Sequence, residues 1–299
     1  MNMKKIFYTT CLILAAAAMM STSCKKEDRT APSGSEIAAA DGEIRFVSDG
    51  LDMNVSTRTT AIDAVSGLTS VNVHCFTGTG GSSETSVWTV TGLNAASGTI
   101  STGKYWPASN PSYRFVASNA AITPATAGAT ISPANCDTDW VVAKNLTPTF
   151  GSSNALAFSH ILARVGTVTL NTQSGYELSA VSATLKSACH SGTYKLATDT
   201  WTTTGSASDN ACDTFSGTTS AQASSKDIYV VPGTYTLSIT YTLTKGAWTG
   251  TFTKSGSVTL VAGKINAITA TAIGGAANEI TFTVSITPWG STTLNPTLS

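Results

Sequence analysis

The sequence predicts an all-β protein built of β-sandwiches, and three observations carry that prediction. Charged side chains make up only 11% of the 299 residues, against about 25% in an ordinary soluble domain. Hydroxyls supply the missing polarity: 51 Thr and 37 Ser account for 88 of the 299 positions. Thr is β-branched and suits a pleated, half-wet surface, whereas exposed helices draw on Leu, Glu and Lys. From Glu43 onward, apolar and polar residues alternate in short runs bounded by Gly, Ser, Asn and Pro. Many short strands with turn residues between them make sandwiches. Seventeen basic and seventeen acidic residues cancel, so nucleic acid is excluded as a partner for want of a basic field. With 41% apolar residues, a disordered chain is excluded too.

The N-terminus is an address rather than part of the fold. Lys4 and Lys5 precede residues 6–20, a run of 15 without a charge. That is too short for a membrane span and right for a signal peptide over 1–23. Ser21-Thr22-Ser23-Cys24 resembles a lipobox, in which Cys24 is acylated and becomes the first mature residue, although Ser21 stands where Leu is usual. A plain secreted protein cut near Cys24 is the alternative. Lys25-Lys26-Glu27-Asp28 resembles an export tag for the outer leaflet, and a solvated tether is the plainer reading. Residues 24–42 carry Ser, Gly, Ala and charge without periodicity, a flexible leash. Losing Lys4 and Lys5 leaves a mature chain of about −2.

The strands follow in order. In the first half they are 44–47, 53–57, 71–76, 86–90, 113–117 and 140–143, closed by Leu156, Phe158, Val165, Val168 and Leu170. Only 60–68 has a helical look, with Ile62, Val65 and Leu68 on one face. The second half offers 178–185, 227–231, 234–244, 248–253, 257–261 and 265–271. Residues 43–299 are many for one sandwich and comfortable for two. The best linker is Asn171-Thr172-Gln173-Ser174-Gly175, giving domains 43–173 and 174–299. The last strand, 279–289, alternates Ile280, Phe282, Val284 and Ile286 with Thr and Ser, ends at Trp289, and follows a Gly-Gly-Ala-Ala-Asn stretch. Its four apolar side chains are worth about 6–12 kcal/mol gross when buried. It either completes its own sheet or adds to a neighbour's.

No constellation of catalytic residues, metal ligands or cofactor contacts emerges. His74, His160 and His190 are far apart in sequence and not flanked by carboxylates, and His160, in an apolar stretch, reads as a structural group. The glycine-rich 78–83 lacks a following Lys and reads as a hairpin tip, not a phosphate cradle. Cys189 and Cys212 bracket a polar loop. A disulfide between them, worth about 3 kcal/mol, and two buried thiols are equally good readings. The six tryptophans serve as core or as sugar-stacking platforms.

The motifs in order resemble the fimbrillin-like lipoproteins that build or decorate outer-membrane pili. Ile44-Arg45-Phe46 with Thr57-Arg58 is similar to that family's first strand and its Thr-Arg site. Lys104-Tyr105-Trp106-Pro107 with Tyr113-Arg114-Phe115-Val116-Ala117 is similar to its aromatic-Pro turn into a strand. The stretch from Leu156 to Val165, Val231-Pro232-Gly233-Thr234-Tyr235 and the final Val284 to Trp289 complete the series. The resemblance implies two transthyretin-like β-sandwich domains and a lipidated precursor anchored in the outer membrane through Cys24. It further implies an Arg-specific protease that cuts between Arg58 and Thr59, and release of the N-terminal strand. A strand such as 279–289 of another fimbrial subunit then fills the exposed groove. A non-polymerising tip adhesin or anchor that binds a glycan or host protein is the alternative.

Overall fold

The computed structural model describes residues 42–49, 65–78, 84–109, 112–125, 128–132, 138–152, 154–202, 205–212, 214–224, 228–273 and 280–288, all within the unit Ala38–Ser299. Among them are strands and a single 3-10 turn, Val65–Gly67. Of the expected helix over 60–68, residues 65–67 form that turn and Leu68 is buried; 60–64 lie outside the described residues.

The first ten strands are β1 (Glu43–Asp49), β2 (Val71–Thr77), β3 (Thr85–Leu93), β4 (Thr99–Tyr105), β5 (Tyr113–Ser118), β6 (Thr123–Ala125), β7 (Gly128–Ile131), β8 (Val141–Asn145), β9 (Asn154–Ala157) and β10 (Ser159–His160). Strands β4-β1-β9 form a three-stranded sheet, and β10-β8-β5-β2-β3 a five-stranded one. The five-stranded sheet is covered on both faces, so β2 and β5 lack the clean alternation of a half-exposed strand. Phe115 on one face meets Phe46 of β1. On the other, Phe76, Val116 and Val142 pack with Ala129, Ile131 and Tyr194.

The remaining strands are β11 (Ala163–Thr172), β12 (Glu177–Cys189), β13 (Thr193–Lys195), β14 (Thr200–Thr202), β15 (Ala207–Ala211), β16 (Ser216–Gly217), β17 (Ala221–Ser224), β18 (Ile228–Val230), β19 (Gly233–Lys245), β20 (Trp248–Leu260), β21 (Lys264–Ala272) and β22 (Ile280–Pro288). One sheet runs β16-β17-β11-β21-β22 with β18 also on β11; the other runs β15-β12-β19-β20. Their inner faces share one core. Val165, Val168, Leu170, Ile268 and Ala270 face Leu185, Leu237, Ile239, Tyr241 and Leu243, a sandwich as expected.

Three features depart from the sequence reading. First, β11 lies in the second sandwich, parallel to β21, so 163–173 do not close the first domain. The Ser/Gly cluster before Tyr176 is a turn that carries the chain from one sheet to the facing one. Gly175 takes a φ of +83° there, and the Tyr176 amide donates to the Gln173 carbonyl. Second, 248–260 is one strand where two were expected, because Gly256, between the two expected runs, pairs in register with Leu237. Third, β7 of the first half pairs with β13 of the second, through Tyr194↔Ile131 and Lys195↔Thr130. The resulting sheet β14-β13-β7-β6 joins the halves, and the Trp201 indole donates to the Ile161 carbonyl at 3.1 Å beside it.

The Ser/Thr excess has a place. On the outer face of β19 and β20 every cross-strand pair is hydroxyl against hydroxyl: Thr234↔Thr259, Thr236↔Ser257, Ser238↔Ser255, Thr240↔Thr253, Thr242↔Thr251 and Thr244↔Thr249. Four of these pairs lie within 2.8–3.1 Å. Cross-strand Thr pairs stabilise a ladder without charge. Gly246 closes the hairpin at φ +59°, the conformation a two-residue primed turn reserves for glycine at its first central position.

Candidate functional site

The candidate site is the slot that the first strand occupies between β4 and β9. β1 alternates strictly: Ile44, Phe46 and Ser48 are buried, Arg45 and Val47 face solvent. It is the middle strand of its sheet, antiparallel to β4 and parallel to β9, so both of its hydrogen-bonding edges are used. Phe46 points edge-on at Phe115 with centroids 4.9 Å apart. Phe115 in turn contacts Trp88, Trp106 and Tyr113 at 5.9–6.0 Å. Edge-to-face packing of this kind adds about 0.5–1.5 kcal/mol per pair to the burial of the rings.

Polar contacts fix the strand's register. The Trp106 amide donates to the Gly42 carbonyl at 2.7 Å, and the Ser48 amide to the Gly98 carbonyl at 3.0 Å. The Thr102 hydroxyl donates to the Ile44 carbonyl at 2.6 Å, and the Ser48 hydroxyl to the Ala95 carbonyl at 3.0 Å. The Glu43 carboxylate accepts from the Ser101 hydroxyl, from the Gly103 amide at 2.9 Å and from Arg45 at 2.7 Å. Led by the Ser101 hydrogen bond, these donors hold the Glu43 carboxyl below its usual range. Three donors on one carboxylate favour its charged form. Withdrawing β1 would leave two bare strand edges and a trough floored by Ile100, Leu156 and Phe115, all fully buried now. Unpaired edges of that length are templates for another strand.

The residues singled out from sequence are distributed as follows. Cys24, Arg58, Thr59 and Trp289 lie outside the described residues. Ile280, Phe282, Val284 and Ile286 belong to β22, which pairs antiparallel with β21 from Lys264↔Pro288 to Ala272↔Ile280. It sits at the edge of its own sheet, with one neighbour. Cys189 and Cys212 are not bonded to each other. In the β12–β15 ladder Cys189 stands opposite Ala207, while the Cys212 amide bonds the Ala183 carbonyl. Five residues of extended chain, roughly 16 Å, therefore separate two thiols whose Cα atoms must approach within about 7 Å to bond. The Cys189 thiol instead donates to the Ser191 carbonyl.

His160 is a structural group, as expected, but its partner was not legible. Its ring meets the buried Asp139 carboxylate at 2.9 Å, and Asp139 is 21 positions away in the sequence. Glu43 also escaped the sequence reading. Its one signal was its place at the start of an alternating run. Among the described residues no three His, Cys, Asp or Glu side chains gather as a metal site, and no helix is long and apolar enough to cross a membrane. A cavity of about 130 Å³ behind the Lys144–Asp199 ion pair falls short of the roughly 300 Å³ at which ligand pockets begin.

A family model described as fimbrillin-like matches residues 57–289. The chain belongs to the fimbrillin-like family. That membership supports a pilus-related role and is consistent with a structural protein rather than an enzyme. Comparison with curated proteins finds no match. Among solved structures, this fimbrillin-like chain is similar to three proposed cell adhesion proteins. One, from Bacteroides uniformis, has a TM-score of 0.49 at 15% identity, over 83% of this chain and 100% of that one. The second, from Bacteroides ovatus, has a TM-score of 0.46 at 13% identity, over 83% and 97%. The third, from Bacteroides eggerthii, has a TM-score of 0.44 at 16% identity, over 86% and 98%.

Proposed function

We propose that this chain is a structural subunit of a cell-surface fimbrium, exported as a precursor lipidated at Cys24 and assembled by strand exchange after cleavage at Arg58. One observation carries the reading: β1, which lies upstream of Arg58, is the middle strand of its sheet and buries Ile44 and Phe46 completely. Cutting after Arg58 severs β1 from the remainder without touching another described strand. An emptied slot exposes apolar surface worth about 1.5–3 kcal/mol for each large side chain lost, together with two sheet edges. An alternating strand of another subunit, of which 279–289 is the example here, restores both. Cleavage makes the step one-way.

The test is treatment of the purified precursor with an Arg-specific protease. The expected result is a new N-terminus at Thr59 and a ladder of oligomers, which deletion of 279–299 abolishes. A second reading, a tip adhesin or anchor that does not polymerise, has its own support. β22 is already paired within its chain, and Trp248, 46% exposed, stands beside Tyr176 and Phe252 as a platform for a glycan. Clean cleavage that leaves only monomers at high concentration would decide for that reading.

A further inference from the structure

Strand β20 carries a row of core-facing residues that the core does not cover. It is the edge strand of its sheet, with β19 as its one neighbour. Trp248, Gly250, Phe252, Lys254 and Gly256 stand opposite Lys245, Leu243, Tyr241, Ile239 and Leu237. Of these, Leu243, Tyr241, Ile239 and Leu237 are no more than 1% exposed. Their β20 partners are half-buried, Trp248 is exposed, and burial returns only at Val258 and Leu260. A row packed into the core would be apolar throughout. This one is aromatic, glycine and lysine.

The rings form a surface with fixed charge beside it. The Trp248 and Phe252 rings lie 6.1 Å apart, centre to centre, with 27° between their planes. Both lean over Gly250, where a Cβ would stand 2.9 Å from Phe252 and 3.0 Å from Trp248. Tyr176 closes one end, edge-on to Trp248 at 6.2 Å and 87°. The Lys245 ammonium rests 4.8 Å from the centre of the Tyr176 ring, which holds it in place without loss of charge. Lys254 follows Trp248 on the same face, about 20 Å along the strand. Among the described residues neither ammonium meets a carboxylate. Glu177 pairs with Thr244 and so belongs to the outer face.

We infer that this rim binds an acidic glycan, with a pyranose seated face-on against Trp248 and the carboxylates of its uronic acid units on Lys245 and Lys254. A pyranose offers a flat face of C–H groups with hydroxyls around it. That face suits an exposed indole, a large rigid contact that costs little to order. Two ammoniums flanking the rings, with no acid between them, supply the complementary charge. A neutral glycan would leave both unused. Exposed ion pairs are weak one by one, so the rings anchor the ligand and the lysines select it. The inference rests on the glycan platform of the second reading above and adds the charge and footprint of the ligand.

The test is titration calorimetry on the full-length chain with two probes. One is an oligogalacturonate; the other is the same oligomer fully methyl-esterified, which keeps the rings and removes the charge. The acid should bind about tenfold more tightly than the ester, and added salt should erase the difference. W248A should weaken both probes about tenfold or more. K245M/K254M should bring the acid down to the affinity of the ester. These side chains sit at the rim, so far-UV circular dichroism should be unchanged, and K104M, an exposed lysine of β4, should bind as wild type does. Equal binding of acid and ester overturns the charge assignment while the platform stands. Binding that W248A leaves intact overturns the site. No binding of either probe overturns this inference and the platform reading together, without touching strand exchange. Tighter binding of a poly-glutamate peptide, lost in the same variants, gives the rim to an acidic peptide and overturns the glycan.

Discussion

Replacing Phe46 by Ala in the precursor tests whether β1 is seated as described. The side chain is fully buried and closes on Phe115 at a centroid distance of 4.9 Å. Truncation removes the ring's transfer energy and leaves a cavity between β1 and β5 that the backbone cannot collapse, because β1 is held on both edges. For a buried Phe these terms together come to about 3–5 kcal/mol. Taking about 4 kcal/mol and a urea dependence of about 2–3 kcal/mol/M, the unfolding midpoint should fall by roughly 1.5 M. Tryptophan fluorescence is a suitable readout, since Trp88 and Trp106 both contact Phe115. Val47→Ala, one residue along and 49% exposed, is the control and should change stability by less than about 0.5 kcal/mol. A loss below about 1 kcal/mol for F46A, or equal losses for the two variants, would refute the seating of β1.

Glu43 should make β1 acid-sensitive. Its folded carboxyl lies below the ordinary 4.5, chiefly through the Ser101 hydroxyl, so its contribution is present above 4.5 and lost as pH falls through the folded value. The midpoint of E43Q should accordingly vary less with pH in that range than that of the wild type. Burial pushes the His74 imidazole below its ordinary 6.5, outweighing a backbone hydrogen bond at Trp88. The unfolded chain then binds the extra proton, and stability should decline as pH drops below 6.5; an H74L chain with the same decline between pH 7.5 and 5.5 would show that His74 is not its source. Burial also drives the Cys75 thiol far up, so iodoacetamide should label it only after denaturation, with native labelling counting against the packing of β2. Peptide mapping under oxidising, non-reducing conditions should find no Cys189–Cys212 bridge, and recovery of one would contradict the β12–β15 register.

Strand positions were legible where one face is wet. The alternation of β1 and β19 can be read from the sequence because the solvent face must be polar. Short strands such as β6, β13 and β16 were not, since two or three residues carry no period. The place of 171–175 was also hidden, because Gly175 and its polar neighbours look the same in a turn between facing sheets as in a linker. At the slot, Ile44 and Phe46 announced themselves. Two of the three donors that hold Glu43, the Ser101 hydroxyl and the Gly103 amide of β4, lie 58 and 60 positions away, and no local pattern encodes that distance.

The sheet shared by β7 and β13 bears on stiffness. The chain runs from β10 directly into β11, and the sheets on either side are linked a second time by paired backbone at Ile131 and Tyr194. A single connection is a hinge, whereas two separated ones resist bending and torsion as a braced joint does. If the subunits join by the strand exchange proposed above, flexing would fall between successive copies, and persistence length would be set at the strand-filled slots rather than inside each link.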